Sequence, residues 1–449
     1  MKWVFLFGIV LLAPVLTAIF RAKPAYIVPG CFLLGASIFV LAPGLWTAIE
    51  AWPAWPGYAK GLEITIVDPI SVALILSTKP VRIPWSVKLS FGLLCLGLIV
   101  STFAANQAMP SFFYIWELFR TVLMFLAIAR VAANVKGAPV ALIAGLGVGF
   151  IYEALLALSQ YASGTARPGG NLGHSNFLGM ASHFVVFPTV ALLLGTRRLV
   201  WPSLVVFAGI LASVVGESRA TMGLLFVGVL LTVVFSLVHR STSRKAAFGG
   251  AAALLMLIAL PVMTWSASQR PQEALVSSDT QREAMKRAAA MILADHPFGV
   301  GADQYVIVAN MGGYSQRAGV AWNEDTRAAP VHNTYYLVAA EFGFIGLLGF
   351  FATLASFIIL GLRLVRRQLP DEAIELVPGL LVAVLAVSVH MYFEWIFMTF
   401  LPHYLFAIAG GLLVAIAART RAGAPAKESP SLSLRKPIGA WTSENATVQ

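Results

Sequence analysis

A chain of 449 residues in which 59% are hydrophobic and 11% charged, with a mean hydropathy of +0.81, is not a soluble globular protein, whose charged share is about 25%. The net charge of +11 does not mark a nucleic-acid binder, because the basic residues fall between apolar runs instead of forming one patch. The two cysteines, Cys31 and Cys95, sit inside apolar runs without paired spacing, so neither a disulfide nor a metal site is expected.

A bilayer crossing takes about 20 apolar residues. In chain order, apolar segments run over 3–20, 25–45, 64–78, 87–105, 111–130, 139–162 and 175–195. They continue over 199–215, 220–238, 247–265, 332–362, 376–395 and 401–418. The expectation is an all-α polytopic membrane bundle of about 12 or 13 crossings. The first segment is long, and Arg21 and Lys23 after it lead directly into another span, so it reads as a retained helix and not a cleaved signal. The third is short and interrupted by Asp68 and Pro69, which suits a re-entrant segment.

Orientation follows from the basic residues. Arg21/Lys23, Lys79/Arg82/Lys88, Arg130/Lys136, Arg197/Arg198, Arg240/Arg244/Lys245, Arg363/Arg366/Arg367 and Arg419/Arg421 occupy every second loop, and one alternating topology places all seven clusters in the cytoplasm. It puts the amino terminus outside, with Lys2, and the carboxyl terminus inside.

The same topology sends one long hydrophilic segment, 266–330, to the outside. Its six basic residues (Arg270, Arg282, Lys286, Arg287, Arg317, Arg327) nearly balance seven acidic ones (Glu273, Asp279, Glu283, Asp295, Asp303, Glu324, Asp325). Within it, Gln281 to Asp295 reads as an amphipathic helix with Met285, Ala288, Ala289 and Ile292 on one stripe, expected to lie on the membrane surface. His296-Pro297 ends it, and Gly299 and Gly301 supply the following turn. The tail is rich in Pro, Ser, Lys and Ala and is expected to be disordered. The expected organisation is an amino-terminal bundle over 1–162, a membrane domain over 163–422 that includes the loop 266–330, and a cytoplasmic tail over 423–449.

No P-loop, dinucleotide fingerprint or Cys/His metal spacing is present, so neither cofactor nor metal is expected. What remains is a set of arginines and histidines at span ends. Arg219, in Gly216-Glu217-Ser218-Arg219, has the place of a snorkelling anchor when taken alone. Arg282 opens the loop helix, Arg167 lies in Arg167-Pro168-Gly169-Gly170-Asn171, and His332 begins the eleventh span; the derived topology puts all four on the outer side. Arginine forks match phosphate oxygens, so several at one cavity suggest an anion such as pyrophosphate. A histidine beside them suits a general base, and equally an interfacial imidazole bonded to a loop carbonyl. Arg120 falls inside the fifth span three residues after Glu117, where a helix-face ion pair is expected, either structural or functional. His174 and Asn176 suit the outer mouth or a helix cap, and His390 and Glu394, four apart, are spaced to pair with each other. His183, His239, His296 and His403 read as structural.

The run from Arg282 through His296-Pro297-Phe298-Gly299-Val300-Gly301, then His332-Asn333-Thr334-Tyr335-Tyr336-Leu337 and Glu341-Phe342-Gly343-Phe344-Ile345-Gly346, resembles the carboxyl-terminal signature of the O-antigen ligase and polysaccharide polymerase superfamily. Ser218-Arg219 before an apolar helix is similar to the family's other marker, and Arg167 to Asn176 resembles its loop more loosely. The resemblance covers roughly 160–360; Met285 stands where the family commonly has an aromatic residue.

That resemblance implies a metal-independent, inverting glycosyltransferase of the bacterial inner membrane. It would move a glycan from a polyprenyl pyrophosphate carrier to a hydroxyl of a glycan, lipid A core or protein acceptor at the periplasmic face. By the same resemblance Arg219 and Arg282 hold the donor pyrophosphate and His332 activates the acceptor; Arg120, Arg167 and Asn333 are expected beside them as supporting residues, Arg120 for its charge inside a span. A transporter or flippase of a lipid-linked oligosaccharide and a protein O-oligosaccharyltransferase are the alternatives. The first predicts charges spread along a transmembrane path, whereas here, apart from Glu117, Arg120 and Glu153, they collect at one face.

Overall fold

Backbone that crosses a bilayer finds no water to bond with, so its amides and carbonyls must satisfy one another, and the apolar runs fold as helices. The computed structural model describes residues 2–41, 44–252, 254, 272–367 and 372–422. The tail 423–449 and most of the apolar run 247–265 lie outside the described residues.

The amino-terminal part comprises α1 (Lys2–Ala22), α2 (Ile27–Val40), a hairpin of β1 (Trp46–Ala51) and β2 (Gly61–Thr65), α3 (Val67–Ser77), α4 (Trp85–Thr102), α5 (Ala108–Asn134) and α6 (Ala138–Ala162). Then follow α7 (Ser175–Gly195), α8 (Val200–Val215), α9 (Arg219–His239) and α10 (243–252). The polar segment carries α11 (Gln272–Asp295), α12 (Tyr305–Met311), α13 (Tyr314–Arg317) and α14 (Glu324–Arg327), and the chain closes with α15 (Thr334–Val365), α16 (Val377–His390) and α17 (Phe400–Ala422). Among the described residues nine helices are long and apolar enough to cross a membrane, and three shorter apolar ones (Pro24–Val40, Val67–Ser77, Val200–Val215) accompany them. The architecture is thus the expected all-α polytopic bundle, and these twelve segments coincide with twelve of the thirteen expected. Helices α7, α16 and α17 are buried almost throughout and form its centre, while α1, α4 and α9 stand at its edge.

Contacts sort the loops into two ends. At one, Arg21 donates to Leu76 O (2.8 Å), Asn134 to Lys79 O (2.9 Å) and Arg419 to Val135 O (2.7 Å), and Lys245 pairs with Glu375 at 2.9 Å. This basic end gathers the loops assigned to the cytoplasm. At the other, Lys2 donates to Ile49 O (3.0 Å), Gln304 to Gln107 O (2.8 Å), and Trp55, Tyr58 and Ala59 to the Asp303 carboxylate (2.9, 2.6 and 2.9 Å). The amino terminus, the hairpin, the loop before α5 and the described part of the polar segment, all assigned to the outside, meet there.

The third segment departs from a plain helix. Its first residues form β2, which pairs antiparallel with β1, and Asp68 accepts from Thr65 N (2.7 Å) where α3 begins. Five strand residues and eleven helical ones each cover about 16 Å, together about the thickness of a hydrocarbon core. The expected third segment is therefore part strand and part helix, the strand paired with β1 and lining a cavity.

The loop helix α11 also departs from expectation. Its stripe is buried, Met285 at 2% and Ile292 at 0% exposure, but against protein: it packs on α12, α13 and α15, and Tyr305 donates to Met285 O (3.1 Å). Amphipathicity specified a covered face; the cover is α15 and not lipid. After Asp295 the chain turns at Gly299 and Gly301, both with positive φ, into a break in α15 at Gly343 (φ 66°, ψ −168°). Val300 N and Gly301 N donate to the carbonyls of Ala340 and Glu341 (3.1 and 3.0 Å), and Phe344 N donates to Pro297 O (3.0 Å). The break frees carbonyls that the loop then satisfies.

Candidate functional site

The amino terminus of α15 is stitched to the turn after α16. Asn333 caps the helix by accepting from Tyr336 N (3.1 Å) and donates to Tyr392 O (2.9 Å). Thr334 donates through its amide to Met391 O (2.8 Å) and through its hydroxyl to Glu394 O (2.6 Å). This backbone register sets His332 opposite Glu394, with Nδ1 3.2 Å from Oε2. On the other carboxylate oxygen, Asn176 donates at 2.6 Å and Arg282 at 3.4 Å. Arg167, at positive φ, reaches Asn176 Oδ1 (3.4 Å), and His174 Nδ1 accepts from Asn176 N (3.1 Å), capping α7.

Glu394 is thus the hub of a cluster from four distant stretches of chain: Arg167 to Asn176, Arg282, His332 and Glu394 itself. Burial alone would raise its carboxyl, but the hydrogen bond and charge of His332, with the charge of Arg282, hold it below the ordinary value. Burial pushes the His174 imidazole down, assisted by Arg167 and His332 and opposed by Glu394, which keeps its Nδ1 available as an acceptor. With His332 Nδ1 turned to a carboxylate, Nε2 is the nitrogen left to take a proton.

Arg219 lies at the same end but outside these hydrogen bonds. It is the first residue of α9, exposed, with no ion pair among the described residues. Ser218 caps the helix, and Thr221 packs against Gly179 of α7, so Arg219 stands one helix away from Asn176. Asn333 acts as a strut, as its two bonds show.

Two local pairings are corrected. Glu117 and Arg120 do not pair: Arg120 binds Asp68 at 3.0 Å, fixed by Tyr404 (2.6 Å), while Glu117 lies 3.2 Å from His403 Nδ1. Arg120 therefore stands apart from the Glu394 cluster. Nor does His390 pair with Glu394: α16 stops at His390, the turn swings Glu394 away, and His390 Nδ1 meets His183 Nε2 at 3.1 Å.

Among the described residues no group of three or more His, Cys, Asp or Glu is disposed to hold a metal ion. The cluster joins a cationic surface to an oriented imidazole, which suits an anionic leaving group next to a hydroxyl nucleophile. Sequence reasoning found Arg282 and His332 but missed Glu394 as their common partner. No curated protein matches the chain. Residues 183–351, which contain Arg219, Arg282 and His332 but not Glu394, match the family model for O-antigen ligase, so over this stretch the multi-pass membrane protein is similar to that family.

Proposed function

We propose that the protein transfers a glycan from a polyprenyl pyrophosphate carrier to an acceptor hydroxyl at the extracytoplasmic face of the bacterial inner membrane. The observation that carries this reading is the Glu394 carboxylate, which joins His332 and Arg282 on its two oxygens. His332 Nε2 takes the acceptor hydroxyl proton as the oxygen bonds to the anomeric carbon. The bond from that carbon to the pyrophosphate breaks in the same displacement, so configuration inverts, and the electron pair leaves with the pyrophosphate. Arg282 and Arg219, with Arg167 behind them, offset the charge that develops. The leaving group carries its own driving force, so the reaction calls on neither metal nor nucleotide.

The positive-inside rule supports the orientation, since it makes the basic end cytoplasmic. The acceptor is a polysaccharide repeat or lipid A core in preference to a protein, which makes the enzyme a polymerase or ligase.

The test is transfer from a lipid-linked oligosaccharide in proteoliposomes. His332→Ala should abolish transfer while the protein still inserts. Arg282→Lys and Arg219→Lys should each weaken donor use about tenfold, because an ammonium cannot replace a planar fork. Full activity in His332→Ala, or donor translocated without being consumed, would sink the reading.

A further inference from the structure

Beside the Glu394 cluster lies a cavity of about 310 Å³ with a different chemistry. Trp46 and Glu63 come from the hairpin, Glu117 and Arg120 from α5, Asn171 from the loop before α7, and Phe400 from the start of α17. It shares two chain segments with the cluster. Asn171 sits between Arg167 and Asn176, and Phe400 follows Glu394 by six residues. Phe177, which follows Asn176 directly, also lines the cavity, so the wall at Asn171 and Phe177 adjoins the cluster.

Charge separates them. The Arg120 guanidinium is committed to Asp68 (3.0 Å) and Thr65 (3.2 Å) and lies over the rings of Phe400 and Tyr404, 5.9 and 5.3 Å from their centroids. Glu117 is more than nine-tenths buried, and its Oε1, although 3.2 Å from His403 Nδ1, accepts no hydrogen bond. Glu63 lines the same wall half-buried. A pyrophosphate entering here would meet Glu117, Glu63, an arginine already paired with Asp68 and one exposed lysine, Lys60, and would find no free arginine fork. A sugar ring carries hydroxyl donors that carboxylates accept, and apolar C–H faces that lie against aromatic rings such as Trp46 and Phe400.

We propose that this cavity is the acceptor subsite and binds one hydroxyl-rich sugar ring between Trp46, Glu63 and Glu117. The arginine-lined cluster across the wall is left to the anionic donor. The role as acceptor subsite rests on the glycan-transfer reading above; the binding of a neutral sugar does not, and the two are separable.

The experiment uses the full-length protein in lipid nanodiscs and saturation-transfer NMR with the methyl glycosides of glucose, galactose, mannose and N-acetylglucosamine. Saturation should pass to the ring protons of at least one of them, and inorganic pyrophosphate should not displace it. Trp46→Ala and Glu63→Gln should each weaken binding about tenfold, while Arg282→Lys should leave it unchanged. Trp46 is half-exposed and joins β2 through its backbone, and Gln keeps the shape of Glu63, so both variants retain the hairpin. Absence of saturation in all four glycosides, displacement by pyrophosphate, or undiminished binding in both cavity variants overturns the proposal. Glycoside binding with full transfer activity in His332→Ala would instead defeat the transfer mechanism and leave the sugar site standing.

Discussion

A carboxylate that takes an amide and a guanidinium on one oxygen and faces an imidazole with the other cannot lose its charge without loosening three side chains. Glu394→Gln keeps the shape but not that charge. It should lower the transfer rate about 100-fold, as expected when a general base loses its orienting partner, with little change in expression or insertion. A rate within about threefold of the parent would show that Glu394 does not act through His332. The pH dependence has a definite sign. The folded pKa of Glu394 is depressed below 4.5, so its stabilising contribution is complete above that pH and is lost as pH falls through the lower folded value. His174 adds a loss at higher pH. Its folded pKa is depressed below 6.5, so the unfolded chain takes the proton first and stability declines as pH drops through that region. Thermal melting between pH 7 and about pH 3 should show the decline, and Glu394→Gln should remove its most acidic part. The residues that sequence revealed and those it did not differ for a physical reason. His332 and Arg282 stand in dense local patterns, whereas Glu394 offers only its spacing from His390, which has meaning only while a helix continues, and α16 ends there. Arg120 misled in the same way: i,i+3 spacing permits a pair with Glu117, but Asp68, already fixed by Thr65 and Tyr404, is the better-prepared partner.

Among elements, the broken helix α15 connects the site to its support. His332 and Asn333 lead into its first turn, and nine residues after Thr334 Gly343 adopts φ 66°, ψ −168°, a region that only glycine enters without strain. A Cβ there would lie 2.3 Å from the carbonyl carbon of Phe298 and 2.6 Å from Gly299 N, backbone atoms that cannot swing aside. Gly343→Ala should therefore destabilise the protein by about 3 kcal/mol and loosen the 297–301 loop. The readouts are a lowered melting temperature and new proteolysis between α11 and α12. Gly223→Ala in α9 meets nothing within 4 Å and should be neutral or slightly stabilising. Equal behaviour of the two variants would mean that the break carries no such constraint. The turn glycines and the stop at His296-Pro297 were legible because special backbone geometry leaves a residue signature. The hairpin was not, because the apolar residues of β2 run without a gap into those of α3, and hydropathy averages the two into one span. Nor was the cover of α11, since a periodic stripe reports that a face is buried and not what buries it.

For the whole molecule the decisive property is sidedness. The chain is at the basic end at Lys245, paired with Glu375, and at the site end at Arg282, paired with Glu394. Between them the sequence supplies one apolar run, 247–265, most of it outside the described residues. All other loops keep the alternation, so the distribution of lysine and arginine fixes the orientation of the entire bundle once it fixes that of any loop. Single cysteines introduced into a protein whose Cys31 and Cys95 are replaced by alanine test this directly. Trp322→Cys, 84% exposed on the polar segment, should react with a membrane-impermeant maleimide in cells whose outer membrane alone is permeabilised. Arg197→Cys, exposed in the loop between α7 and α8, should react only after the inner membrane is broken. The reverse pattern would place His332 and Glu394 in the cytoplasm and remove the extracytoplasmic reading. Labelling of both in intact inner membranes would contradict the two-ended fold itself, because the contacts of Arg198 with Glu372 and of Arg282 with Glu394 require these loops to lie at opposite ends of the same helices.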